Sequence, residues 1–227
     1  MTVTGIKRRV AVRKNLRFEE GNMYKFAKQK DVKELAQWCE SIIKEVQKEI
    51  KEYLTFSFNL IGSGGKKLVT QNAEEAFDLD YNLIIQKDKQ GLIDNPKRLK
   101  DIMRHAFDNV LRENVQGYSG AKDSKSVITI VFADGIKRTF SFDVAIYVEA
   151  DNGYVYRLIN DNNTGKYIWN QVPKSRNYED KMQAVKENGE WEEFKVRYLA
   201  LKNMHLVRGN NVKSFSIFLE TLNEFYR

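Results

Sequence analysis

The chain of 227 residues holds one cysteine, two histidines and two prolines, and each scarcity removes a class of answer. A lone Cys39 can form no internal disulfide, so a reducing cytoplasm is the natural compartment. Cys39 falls in a helical apolar stripe with nothing nearby to make it reactive, and it reads as a small buried hydrophobe rather than a nucleophile. His105 and His205 stand far apart without a Cys/His cluster, so no zinc pattern is present. No stretch approaches about 18 uncharged apolar residues, which leaves no candidate membrane span. The first 18 residues are interrupted by Lys7, Arg8, Arg9, Arg13, Lys14 and Arg17, so they lack the apolar centre of a signal peptide. With Pro96 and Pro173 as the only prolines, no repeat and no low-complexity tract, the chain reads as one compact unit. Within it a core over residues 1–170 is expected to carry a helical region, 171–227, packed upon it.

What the sequence does contain is a hydrophobic fraction of 42% and an aromatic fraction of 12%, enough to bury a core and to exclude general disorder. A net charge of +7 favours partners that carry phosphate, without separating an NTP from RNA. Helical spacing of Val32, Leu35, Cys39, Ile42, Val46, Ile50 and Tyr53 predicts an amphipathic helix over 31–54, with Asp31 and Glu34 as a capping box. A strand follows over 55–61, ending at Gly62-Ser63-Gly64-Gly65, after which a short helix is expected. Strand 77–86 and helix 95–113 come next. Strands 126–132 and 136–148 should meet in a hairpin at Asp134-Gly135, and a turn at Asp151-Asn152-Gly153 leads into strand 154–159. Three helices, 178–187, 190–206 and 212–226, complete an α+β fold with a mixed sheet.

Three segments carry chemistry. In Leu60-Ile61-Gly62-Ser63-Gly64-Gly65-Lys66-Lys67, glycines allow close approach of backbone to an anion and Ser63 adds a hydroxyl donor. The segment is neither Walker A, since Leu60 and Lys67 occupy positions that require Gly and Ser/Thr, nor a dinucleotide fingerprint, since Lys67 stands in place of the third glycine. By itself it is equally a plain turn. In the second segment, Phe77 to Ile85, period-two alternation sends Asp78, Asp80 and Asn82 to one face and Leu79, Tyr81, Leu83 and Ile85 to the other. Paired carboxylates on a strand are disfavoured, so they need a reason: a solvated outer face or a cation. The third segment, Thr139 to Val148, sets Asp143 among Phe140, Phe142, Val144, Ile146 and Val148, with Asp143, Ser141, Ala145 and Tyr147 on the face opposite these apolar residues. Three carboxylates facing one point would repel each other, and two Mg²⁺ ions about 3.5 to 4 Å apart relieve that conflict.

A strand ending in Gly62-Ser63, a short helix, a strand with Asp78-x-Asp80 and a later strand with Asp143 resemble the polymerase-β-like nucleotidyltransferase superfamily. The match spans about residues 55–148. The long preceding helix and the helical C-terminal region are similar to the branch containing oligoadenylate and cyclic GMP-AMP synthases and their bacterial relatives. Fourteen residues separate Ser63 from Asp78, slightly more than the usual spacing, and Gly64-Gly65-Lys66-Lys67 is an uncommon continuation of the motif. The resemblance implies a nucleotidyltransferase core that moves a nucleoside monophosphate from an NTP to an acceptor hydroxyl and releases pyrophosphate. It implies Asp78, Asp80 and Asp143 as catalytic ligands of two Mg²⁺ ions, with Gly62 and Ser63 gripping the triphosphate. Lys66 and Lys67 would assist, or form an ordinary solvated pair. Trp169, Tyr167 and Tyr178 are candidates to stack on the base, and Lys195 and Lys202 to reach phosphates; core packing and a solvated face explain them equally well. The excess charge leans the acceptor towards a second nucleotide or RNA. An antibiotic or other small molecule, a protein side chain, and a non-catalytic nucleotide- or RNA-binding module remain alternatives.

Overall fold

The computed structural model describes residues 23–72, 76–112, 115–134, 137–161, 163–173 and 177–226. The basic residues from Lys7 to Arg17 and the Gly135 of the expected hairpin turn lie outside them. In chain order the elements are β1 (Tyr24–Phe26), α1 (Gln29–Glu49), β2 (Leu54–Ile61), α2 (Gly62–Lys66), β3 (Thr70–Asn72) and β4 (Asp78–Asp88). A 3-10 turn (Leu92–Asp94) leads to α3 (Pro96–Leu111), then to β5 (Tyr118–Asp123), β6 (Ile128–Asp134), β7 (Lys137–Glu149), β8 (Val155–Asp161) and β9 (Lys166–Gln171). Helices α4 (Tyr178–Glu187), α5 (Trp191–Val207) and α6 (Ser214–Phe225) follow.

These elements form two compact units. The first comprises described residues 28–67 and 76–172, the second 23–27, 68–72 and 173–226. The first is built on a sheet of order β2-β4-β7-β6-β5, with β8 paired to β7 and β9 to β8. Among the described residues of this sheet only the β4–β7 pair is parallel. One face of this sheet is apolar. Leu79, Tyr81 and Leu83 of β4 and Phe142, Val144 and Ile146 of β7 are buried, as alternation requires of a sheet covered on one side. The buried stripe of α1 (Val32, Ala36, Cys39, Ile42, Ile43, Val46) and that of α3 (Leu99, Met103, Ala106, Phe107) complete the core. Phe107 meets Phe142 edge-on at 6.0 Å, which fixes α3 on that face. Tyr81, 1% exposed, donates its hydroxyl hydrogen to the Ala36 carbonyl at 3.1 Å, which fixes α1. Tyr81→Phe removes that one hydrogen bond with little change of shape and should cost about 1 kcal/mol, read from the denaturant midpoint.

The second unit clusters Leu68, Val185, Phe194, Tyr198, Leu201, Ile217, Phe218 and Leu222. Antiparallel β1 and β3 join it: Asn203 receives the Tyr24 N–H at 2.6 Å and donates to the Tyr24 carbonyl at 3.0 Å.

Several expectations need correction. Helix α1 begins at Gln29 with Lys28 as its N-cap and no side-chain cap, so Asp31 lies within the first turn and makes no capping box with Glu34. The helix also ends at Glu49, short of Tyr53. The glycines do not precede α2 but form it, from Gly62 onward. Strands β1, β3, β5 and β9 are additional. Helix α3 starts where the sequence places it: Pro96 opens it and the Asn95 side chain accepts from the Arg98 N–H at 3.1 Å. The 151–153 turn is also present, with Gly153 at φ 76° donating to the Ala150 carbonyl at 2.8 Å. Cys39 is buried as expected.

Candidate active site

The face of the first unit's sheet opposite the helices carries the acidic residues. Parallel pairing of β4 with β7 sets Asp80 opposite Asp143 and Asp78 opposite Ser141. Partner residues on neighbouring strands lie about 5 Å apart, so Asp80 and Asp143 project side by side. Asp78 is exposed, while Asp80 and Asp143 are half-buried. The Asp78 Oδ1 accepts a hydrogen bond from the Ser141 hydroxyl, and Ser141 is itself 0% exposed.

On the other side β4 pairs with β2, and Ile61, the last residue of β2, faces Asp80. The chain then turns into α2, which brings Gly62 against Asp80. Gly62 has φ +61°, and a β-carbon there would overlap the Asp80 Oδ2. Glycine is required here on two counts, backbone conformation and space. The Lys66 ammonium donates to the Gly62 carbonyl at 3.3 Å.

These surroundings raise the proton affinity of Asp80, whose pKa moves from 3.8 to about 6. Burial is the largest cause, followed by the charges of Asp143 and Asp78; Lys66 opposes them. Burial and neighbouring negative charge of this kind are relieved by a proton or by a cation. The donor chemistry fits Mg²⁺, a hard ion that takes one or two carboxylate oxygens and completes its shell with water and phosphate. Among the described residues no group of three or more His, Cys, Asp or Glu side chains is gathered to hold a metal ion as placed. The fit therefore rests on oxygen donors and charge.

Of the residues singled out in the sequence, Gly62, Lys66, Asp78, Asp80 and Asp143 come together, with Ser63 next along in α2. Lys67 is the exposed C-cap of α2 at φ 59°. The three candidate stacking aromatics are engaged elsewhere. Tyr167 donates to Asp123, Trp169 donates to the Ile93 carbonyl at 2.8 Å, and Tyr178 packs edge-on against Phe215 and Phe218 in the second unit. Lys195 pairs with Glu192 at 2.5 Å. Lys202 is buried in the second unit, donating to the Thr70 hydroxyl at 2.5 Å, with its ammonium 4.3 Å from the Tyr24 ring centre. Burial holds its pKa down at about 8. Two roles were missed from sequence: Ser141 as the partner of Asp78, and Lys100, 2% exposed, which holds Asp123 at 2.6 Å beneath Tyr167.

No helix among the described residues is long and apolar enough to cross a membrane. No family model and no curated protein matches the sequence. Solved structures do match. CdnC of E. coli MS115-1, with ATP, aligns at a TM-score of 0.55 and 17% identity over 89% of this chain and 61% of its own. DncV of Vibrio cholerae aligns in its apo form at 0.55 and 16% over 86% and 59%, and in its GTP-bound form at 0.55 and 15% over 86% and 58%. This chain thus spans about three fifths of the length of those proteins. By these alignments the chain has the fold of CdnC and DncV.

Proposed function

We propose that this protein is a Mg²⁺-dependent nucleotidyltransferase that passes a nucleoside monophosphate from an NTP to an acceptor hydroxyl, with a nucleotide or RNA as acceptor. One observation carries the reading: Asp80 and Asp143 stand opposite each other on parallel strands, with Asp78 two residues away and the Gly62 turn pressed against Asp80. The shared fold supports it, as do the ATP bound by CdnC and the GTP bound by DncV.

In this reading Asp78 and Asp80 would hold two Mg²⁺ ions and Asp143 one of them. When bound, the ions neutralise charge on the triphosphate and acidify the acceptor hydroxyl. The rest falls to the protein. The Gly62 backbone, with no side chain in the way, and the Ser63 hydroxyl grip the triphosphate, while Lys66 adds positive charge near Asp80. Lys67 contributes only if its side chain turns in from solvent. Asp143 receives the proton as the acceptor oxygen bonds to the α-phosphorus, the bond from that phosphorus to the bridging oxygen breaks, and pyrophosphate leaves. The positive charge of the chain, +7, favours an acceptor that itself carries phosphate.

The test is incubation with Mg²⁺ and each α-labelled NTP, with and without RNA, beside the Asp78→Asn/Asp80→Asn double variant. Labelled product from the wild type alone is expected, and its size and nuclease sensitivity separate a cyclic or short oligonucleotide from extended RNA. Binding accompanies turnover: Mg²⁺ with an NTP at a hundred times Kd should stabilise the wild type by about 2.7 kcal/mol. Equal labelling by the double variant would refute the assignment of the carboxylates. No cation-dependent stabilisation with any NTP would refute the function.

A further inference from the structure

The acidic face continues past the carboxylates onto β8 and β9. Direct partners on paired strands share a face, so the row of Ile84 and Tyr147 runs on to Arg157 and then to Asn170. The helix side of the same strands agrees: Tyr167 of β9 meets the Asp123 that Lys100 of α3 holds, and Leu158 of β8 is buried. Alternation therefore leaves Arg157 on the face that carries Asp143. Arg157 is half-buried, its Nε–H is shut off from solvent without a hydrogen-bond partner, and among the described residues it forms no ion pair. A guanidinium withdrawn from water in this way calls for an anion. Asn82, in the row between Asp80 and Ile84, has the complementary want, because its Oδ1 is buried and accepts from no donor.

One ligand satisfies both wants. A guanidinium binds phosphate through two parallel N–H bonds, and a ribose supplies the hydroxyl donor that an amide oxygen lacks. The spacing suits a nucleotide: Asp143 and Tyr147 are four positions apart on β7, about 13 Å at about 3.3 Å per residue. A ribose with its 5′-phosphate, met by the long arginine side chain, fits that span. We propose that Arg157 binds the 5′-phosphate of the acceptor nucleotide, which lies along β4 and β7 with its reacting hydroxyl at Asp143 and its ribose beside Asn82. The site then selects acceptors that carry phosphate over neutral ones, while the donor triphosphate keeps to Gly62 and Ser63 at the end of β2. This rests on the reading of Asp143 as the carboxylate at which transfer occurs.

The experiment gives the full chain Mg²⁺, a trace of each α-labelled NTP, and one of three acceptor probes: ribonucleosides, their 5′-monophosphates, or a short RNA with a free 3′ end. Wild type, Arg157→Gln and Arg157→Lys are compared, with circular dichroism as the check on folding. The wild type should use a phosphate-bearing probe at a KM at least about tenfold below that for nucleosides, the scale of one charged hydrogen bond. The monophosphate and RNA arms tell a free nucleotide from an RNA end as the source of that phosphate. Arg157→Gln should raise this KM about tenfold and leave kcat and the KM for nucleosides little changed, and Arg157→Lys should recover part of the loss by restoring the charge. A general loosening of the fold would weaken nucleosides and phosphate-bearing probes alike, and that result overturns the proposal, as does no change with either. Calorimetric titration of the monophosphates into the same proteins needs no turnover. Binding that weakens in Arg157→Gln while no protein transfers would refute the transferase and leave the phosphate site standing; equal binding would overturn the role of Arg157 whatever the turnover.

Discussion

On the proposed function, Asp80→Asn should lower nucleotidyl transfer about 10³-fold and at the same time raise the melting temperature. The loss follows from the place of Asp80 at the centre of the cluster, opposite Asp143 and against Gly62. A group that holds charge at the reacting phosphate is worth on the order of 4 kcal/mol, which is about 10³-fold in rate. The gain in stability follows from its pKa, raised to about 6 by burial and then by Asp143 and Asp78. A carboxyl that binds its proton more tightly when folded weakens the fold once that proton is removed. Below about pH 4 both states hold the proton and nothing is lost; between pH 4 and 6 the folded state binds more protons, so stability falls as pH rises; above pH 6 the full cost is present. About two pKa units correspond to roughly 3 kcal/mol as a ceiling. Solvent reaching the half-buried side chain reduces this to about 1 to 2 kcal/mol, or a few degrees in a protein of this size. Thermal melts in a chelating buffer from pH 4 to 8 should slope downward for the wild type and be flatter for Asp80→Asn. A variant that melts lower than wild type at pH 7 would contradict the argument.

Gly62→Ala is the second large effect. Alanine at φ +61° costs about 1 to 2 kcal/mol in backbone conformation alone, and its β-carbon would displace the Asp80 carboxylate. Moving a reacting group by about 1 Å can cost a hundredfold, so kcat should fall at least about that far while the protein stays folded. Gly64→Ala provides the comparison. Its β-carbon would meet the Leu60 and Leu79 side chains at 2.9 and 3.1 Å, apolar atoms beneath the site rather than a carboxylate within it. That substitution should lower stability through overpacking and reduce kcat much less. Similar kcat values for the two alanine variants would mean that Gly62 serves the turn and not the site.

The acidic face could be read from sequence because alternation is a local property. In Asp78-Leu79-Asp80-Tyr81 each residue announces its side of the strand, and the structure buries Leu79 and Tyr81 accordingly. Which carboxylates face each other is not local. The pairing of Asp80 with Asp143, rather than with Ser141, depends on the register of strands about sixty residues apart, and no residue of either strand encodes it alone. Ser141 was missed for that reason. Three of the four strands that escaped notice share another cause: β1 and β3 are three residues each, and β5 reads Tyr-Ser-Gly-Ala-Lys-Asp with a register shift between Tyr118 and Gly120. They are strands because of their partners and not by propensity. Lys100 shows the same limit from the other direction, since a lysine in a charged helix gives no hint that a carboxylate and a carbonyl wait for it inside.

The route of the backbone constrains how the protein is made. The helical unit takes β1 and β3 from the first third of the chain, and their hydrogen bonds close onto α5 across 179 positions between Tyr24 and Asn203 and 132 between Thr70 and Lys202. During synthesis the sheet unit has all its residues once position 172 has left the ribosome, but β1 and β3 must wait for α5. Contacts this distant slow folding, because the entropy of closing the intervening loop is spent before they form. A nascent chain halted near residue 172 would hold Phe26 and Leu68 without the α5 and α6 residues that they pack against when folding is finished. Chaperone engagement during translation should therefore peak after the strands of the sheet unit are complete and end when α6 emerges.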